Sequence, residues 1–336
     1  MLADREREIG YDDNPAFNDW LDENFTVVIA DYDFNASEVL YTNKYENYIE
    51  ALGSFNTDPQ IVIDRIFNNF PNPIAHYLYE AENNYQNDHH RLDLLKSCWE
   101  ATIFLIFGLV VGEARYRNIP LKELGLTTWN KFRSDRVHDK LNIVENILNH
   151  VETTNIDFEC KNIIPLETLS GIRSLNGERN GFEHASAKTS MQQKSLYNVL
   201  FPLVTRMLNQ LMGLEKVQLF RYHDAVSPLI PRCEIYNGSS LSGKKDVIVL
   251  KKENYFEIIE EFNANSVFAK INNTAYRLSP FIHFYQEDHE TNALICFYKK
   301  YHASKYKFEV VSKSQDIEIN KEEFEDVVNK FKALIL

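Results

Sequence analysis

The chain lacks the features by which several protein classes are recognised. It has no C-x-x-C pair, because its four cysteines (Cys98, Cys160, Cys233 and Cys296) stand far apart. That spacing argues against a zinc module, and a chain of 336 residues needs no disulfide framework to close a core. There is no repeat period and no low-complexity tract, which excludes solenoids and compositionally biased arrays. The most apolar run, residues 101–112, is about half the length of a membrane span and reads as a buried helix. The opening MLADREREIG is too charged for a signal peptide. These absences lead to the expectation of a cytoplasmic protein with no membrane association, metal or cofactor.

Basic residues are scarce in the first quarter of the chain. Residues 1–87 hold 17 acids and 4 bases, whereas the remainder holds 32 of each, so the whole net charge of −13 lies in that segment. Nucleic-acid-binding domains are ordinarily basic. The acidic segment is therefore expected either to restrain a nucleic-acid site or to be a solvated surface.

Three segments emerge from the patterning. Residues 1–87 mix strand and helix signals. The run Thr26-Val27-Val28-Ile29-Ala30 predicts a buried strand, residues 38–41 its partner, and Asp58 with Pro59 a helix start through Phe67. Residues 88–215 are helical. Leu92, Leu95, Trp99, Ile103, Ile106 and Val110 form one apolar stripe, and Val137, Leu141, Val144, Leu148 and Val151 a second, capped by Ser134. A third helix follows Pro165 with Leu166, Leu169, Ile172 and Leu175. A fourth, capped by Ser190 and kinked at Pro202, carries Leu196, Leu200, Leu203, Met207, Leu211 and Leu214. Residues 216–336 turn strand-like at 217–222, 246–250, 267–271, 293–298 and 306–311, and end in a helix opened by Asn320 and Glu323. The expected architecture is a multidomain α+β protein: an acidic α+β segment, a central antiparallel helical bundle and a β-rich C-terminal domain.

The sequence that carries chemistry is Arg179-Asn180-Gly181-Phe182-Glu183-His184. A continuous helix would set Arg179 and His184 about 140° apart. A stop at Gly181 lets the chain return His184 toward Arg179. A permanent cation and an imidazole that titrates near neutrality then share one pocket. RNA cleavage uses that pair, since a base takes the 2′-hydroxyl proton, an acid protonates the leaving 5′-oxygen, and a guanidinium binds the charge gathering on phosphorus. Asn180 would bond a phosphate or fix the loop. The competing reading is an ordinary helix end, with an arginine against the dipole and an exposed loop histidine.

An R-N-x-x-x-H sequence closing one bundle helix and preceding another long one resembles the HEPN family of ribonucleases and toxins, over residues 88–215. The resemblance implies a metal-independent endoribonuclease that leaves 2′,3′-cyclic phosphate and 5′-hydroxyl ends, in a toxin or antiviral setting. It also implies a homodimer acting on RNA, with a regulatory partner or antitoxin. Arg179, Asn180 and His184 match the motif, with Glu183 and Glu100 as supporting candidates. Ser186 stands where a subfamily silenced by nucleotide transfer carries tyrosine, a departure that argues against that silencing here. A catalytically silent RNA- or nucleotide-binding scaffold is the alternative. Other candidates have plainer readings beside them. Asp88, His89 and His90 are metal ligands or a helix start. Asp135, His138 and Asp139 are first-turn residues, and His283, His289 and His302 lack metal spacing. The stretch from Phe297 through Phe308 interleaves aromatics with Lys299, Lys300, Lys305 and Lys307, as single-strand binders do, or as the outer face of a hairpin does.

Overall fold

A computed structural model describes residues 7, 9–29, 32–177, 188–227, 230–287, 289–290, 292–313 and 315–335. Contacts divide the chain into two units, Met1–Arg65 and Ile66–Leu336. The architecture is mixed α+β with three antiparallel sheets among the described residues.

The first unit contains α1 (Pro15–Asn24), β1 (Thr26–Ile29), β2 (Tyr32–Asn35), α2 (Ala36–Asn43), α3 (Tyr45–Thr57) and the start of α4 (Pro59–Asn69). Its core is Phe17, Leu21, Tyr48, Leu52 and Phe55. The Tyr48 hydroxyl donates to Asn18 at 2.7 Å, which satisfies the one polar atom in an otherwise apolar cluster. Residues 38–41, expected to be a strand, lie in α2. The Asp22 carboxylate accepts from both the Ser37 amide and its hydroxyl at 2.8 Å, supplying the first turn of α2 with a partner fifteen residues away in sequence. Asp58 accepts from the amides of Gln60 and Ile61, so α4 starts as its N-cap and proline predict.

The second unit is organised on one helix. After α5 (Asn72–Asn83) comes α6 (Asp88–Tyr116), then α7 (Trp129–Phe132), α8 (Val137–Thr153), α9 (Leu166–Gly177) and α10 (Ser190–Asn209). Every residue of the predicted α6 and α8 stripes is buried. Two of the caps differ from expectation. Thr189, with Gln192 in a reciprocal capping box, caps α10, and Arg136 precedes α8 while the Ser134 hydroxyl bonds Asp139 at 2.5 Å. Helix α6 alone among the described helices is long and apolar enough to cross a membrane, and 72% of its apolar window is buried inside the fold. It is a core helix.

The remaining elements are β3 (Val217–Ser227), β4 (Ile230–Ile235), β5 (Lys244–Val247), α11 (Lys252–Ile258), β6 (Phe268–Ile271), β7 (Thr274–Arg277), β8 (Ile282–Tyr285), β9 (Leu294–His302), β10 (Lys305–Val310), β11 (Asp316–Asn320) and α12 (Glu325–Ile335). They form a five-stranded sheet, β5-β4-β3-β6-β7, and a four-stranded sheet, β11-β10-β9-β8. The final helix opens through a 3-10 turn at Lys321–Phe324, and Asn320 makes no side-chain cap bond.

The polar C-terminal end of α6 ties helices and strands of the second unit together. Glu113 is fully buried and accepts from the amides of Glu159 and Cys160 at 2.7 and 2.8 Å. Tyr276 on β7 donates to it at 3.2 Å and Arg117 at 3.3 Å. Two residues along, Arg115 makes a two-pronged pair with Glu261 at 2.8 and 2.9 Å, and Lys330 of α12 donates to the same carboxylate at 2.5 Å. The backbone of α6 also comes close to the sheets. A Cβ on Gly108 would lie 2.9 Å from Ile282, and one on Gly112 3.1 Å from the Arg277 carbonyl.

Glu113→Ala strands two buried amides and a tyrosine hydroxyl, and is expected to lower stability by about 3–5 kcal/mol. Urea midpoints measure this. Glu113→Gln, which keeps one acceptor oxygen, is expected to recover part of the loss.

Candidate functional site

Arg179, Asn180, Glu183 and His184 lie outside the described residues. What is described is the frame on either side of them. Helix α9 is described through Gly177, two residues before Arg179, with Leu169, Ile172 and Leu175 buried. The Trp99 indole donates to the Ile172 carbonyl at 3.4 Å, tying α9 to α6, and Arg173 bonds Asn142 and Glu145 of α8 at 2.9 and 2.6 Å. On the other side, Ser190 at the start of α10 donates to the Asp88 carboxylate. Asp88 is the first residue of α6, whose N-cap Asn87 accepts from the His90 amide at 2.9 Å. The first turns of α6 and α10 are thus joined.

A cluster not foreseen in the sequence secures the junction. Arg91 donates to the Ala81 carbonyl at 2.8 Å and to Glu82 at 2.6 Å, with its guanidinium 3.8 Å above the Tyr197 ring. The Tyr197 hydroxyl donates to Glu82. Burial, with Glu82 beside it, pushes the Tyr197 hydroxyl well above its ordinary range. These groups satisfy one another and clamp α5, α6 and α10 together. No local pattern announces them, because the three residues come from three helices.

Glu100 lies on a different face of α6 from its neighbour Trp99, which takes the α9 side, since one helical residue turns by about 100°. It lines a groove with Tyr77, Ser97, Phe104, Phe297 and Glu309, and lies 4.0 Å from Lys96. Burial pushes the Tyr77 hydroxyl up to about 12, with the nearby Glu309 and Glu100 carboxylates adding to the shift and the Ser312 amide opposing it.

Behind Phe104 lies Lys140, in the first turn of α8 and fully buried. Its ammonium sits 4.5 Å from the Phe107 ring, 5.1 Å from Phe104 and 5.6 Å from Tyr298. Burial lowers its pKa to about 7, against the opposing pull of Asp135 and Asp139.

The remaining candidates resolve into structural roles. His89 lies 3.4 Å from Asp93, and the His90 ring accepts from the Gln86 amide, as at a helix start. His283 is buried between Phe308 and Phe324, and burial, helped by Arg277, lowers its pKa to about 3. In the β9–β10 hairpin Tyr298, Tyr306 and Phe308 are buried. Lys299 pairs with Glu309 and Asp316, Lys305 with Glu318, and Lys307 with Asp316. These three buried aromatics offer no stacking platform, and Lys299, Lys305 and Lys307 are ion-paired on the outer face. All four cysteines are buried thiols, and among the described residues no group of three or more His, Cys, Asp or Glu side chains is placed to hold a metal ion.

One acid–base pair escaped the sequence reading. At a bulge in β3, His223 meets Glu234 at 3.0 Å, with the Tyr236 hydroxyl on the same carboxylate at 3.0 Å and Arg221 at 3.6 Å. Burial acts to raise Glu234, but the bonds from His223 and Tyr236, with Arg221, hold it below the usual carboxylate range. Strand β4, which brings Glu234 there, contains proline, arginine and glutamate and gave no strand signal.

Lys140 generates a pH prediction. Its folded pKa lies below the unfolded one, so between about 7 and 10.5 the unfolded chain binds the extra proton. Stability therefore rises with pH across that window, by up to about 1.4 kcal/mol per unit. Lys140→Met is expected to be more stable than the parent at pH 7, with the gap closing toward pH 10. Urea midpoints across the range check this, and a constant gap would contradict it.

Set against protein-family models, curated protein sequences and solved structures, the chain matches none.

Proposed function

We propose that the helical part of the second unit is a HEPN-like bundle and that the chain is a metal-independent endoribonuclease. The observation that supports this reading most is the frame around the motif. One helix with a buried apolar face is described to within two residues of Arg179, and a long capped helix starts six residues after His184. Both are fastened to α6, by Trp99 and by Asp88. In this reading the 2′-oxygen of RNA attacks the adjacent phosphorus and the bond to the 5′-oxygen breaks, leaving a 2′,3′-cyclic phosphate and a 5′-hydroxyl. Arg179 stabilises the charge on the phosphorane, Asn180 holds a phosphate oxygen or the loop, Glu183 supports them, and His184 moves a proton. A toxin or antiviral role follows from the family resemblance.

One histidine per chain cannot serve as base and acid in the same step, so the reading calls for a homodimer with two motifs side by side. The outer face of α10 suits such pairing. Met191, 83% exposed, lies with the exposed Val199, Pro202 and Leu203 within an arc of about 120°. Leu203, expected in the core, is on this face. An exposed apolar surface of this kind commonly marks an interface.

The test is incubation of the purified chain with total cellular RNA in excess chelator, with mapping of the RNA ends. His184→Ala and Arg179→Ala are each expected to lower cleavage by at least about a hundredfold. Cleavage abolished by chelator, or unaffected by either substitution, would remove the proposal. RNA binding without cleavage by the parent would favour the silent scaffold. In sedimentation, Val199→Glu with Leu203→Glu is expected to yield monomers that cleave poorly. A fully active monomer would refute the composite site.

A further inference from the structure

The hairpin β1–β2 in the first unit is a two-stranded sheet with both outer edges open. Among the described residues no other backbone pairs with either strand. Its register sets Val27 opposite Phe34 on the face that Tyr32 shares, with Val28 opposite Asp33 on the other. Tyr32 is 72% exposed and Val28 62%, and Phe25 and Phe34 are exposed beside them. Thr26, Val27, Val28 and Ile29 are all β-branched, the residues most suited to an extended strand. Natural edges are commonly blunted by lysine, proline or a bulge. Neither strand carries a lysine or a proline, and the register runs without a shift.

The charge around the hairpin is of one sign. Residues 8–43 hold nine acids and no lysine or arginine. Glu23, Asp33 and Glu38 are exposed within or next to the hairpin. Asp22 is engaged by Ser37 and is not free to take a partner. A second copy of this surface would bring acid against acid, and a nucleic acid would meet the same repulsion.

We infer that the β1–β2 hairpin is a docking edge on which an extended, basic segment of another polypeptide adds as a third strand. Main-chain bonds to the open edge would supply affinity. Alternating side chains would supply selectivity, with apolar groups against Val27, Tyr32 and Phe34 and lysine or arginine against the exposed acids. The inference is independent of the ribonuclease reading, since it uses no residue of that site.

The probe is a synthetic peptide of alternating valine and arginine, roughly ten residues long, added to the full chain. Fluorescence anisotropy reads affinity, and amide hydrogen exchange reads where protection appears. Binding is expected to protect residues 26–35. It is expected to weaken at least about tenfold when Tyr32 and Phe34 are both changed to serine, and again for Val28→Lys, which repels a basic strand. These side chains are exposed, so circular dichroism is expected to stay unchanged. A peptide of the same charge interrupted by proline cannot form the ladder and is expected to bind at least about tenfold more weakly. Equal binding of the proline peptide would reduce the effect to plain attraction and overturn strand addition. Protection elsewhere would move the site, and self-association of the unliganded chain lost in Tyr32→Ser would make the occupant a second copy. Either result overturns the proposal.

Discussion

A carboxylate taken fully out of water at Glu113 obliges the surrounding chain to supply donors, because an unpaired buried charge costs several kcal/mol. Arg117 is a local donor, and the others come from far away in sequence: two amides of the turn at residues 159–160 and a tyrosine on β7. Satisfying one atom group therefore fixes three elements at once. The neighbouring pair of Arg115 with Glu261 adds α12 through Lys330. Apolar burial makes α6 a core helix, but it is these directional bonds that set which strand and which turn lie against it.

Helices α6 and α8 were legible because their signal is periodic. Apolar residues three and four apart in α6 and α8 can be read without knowing the partner, and all of them are buried. Elements whose stability depends on distant partners were not legible. Helix α2 looked like a strand because its first turn is secured by Asp22, from another helix. Strand β4 was missed because its polar residues, Arg232 and Glu234, are satisfied across the sheet by Asp224 and by His223. In α10 the apolar pattern was recognised but its facing was only partly right, since exposed Leu203 continues the same period as buried Leu200 and Met207.

The site divides in the same way. Arg179, Asn180 and His184 form a local pattern that a sequence carries by itself. The contacts of the helices that flank it in sequence are long-range: Asp88 with Ser190, Trp99 with Ile172, and Arg91 with Glu82 and Tyr197. Glu100 shows the limit of reading a helix from its apolar stripe alone. Adjacent to Trp99 in sequence, it looks toward β9 and β10 while the indole looks toward α9. A single residue step changes the neighbourhood entirely.

The close approach at Gly108 and Gly112 constrains how this sequence can drift over generations. The obstacle at position 108 is the tip of Ile282, a flexible side chain. A larger residue there can be accommodated by a different rotamer or by a smaller residue at 282, so the two positions are free to vary in concert. At position 112 the nearest obstacle is the backbone carbonyl of Arg277, which no substitution elsewhere removes. A Cβ at 112 asks the backbone of β7 to give by a few tenths of an ångström, and that strand is anchored through Tyr276 to Glu113, the very next residue. Of two glycines one helical turn apart, one is limited by a side chain that can turn and the other by a strand held in place.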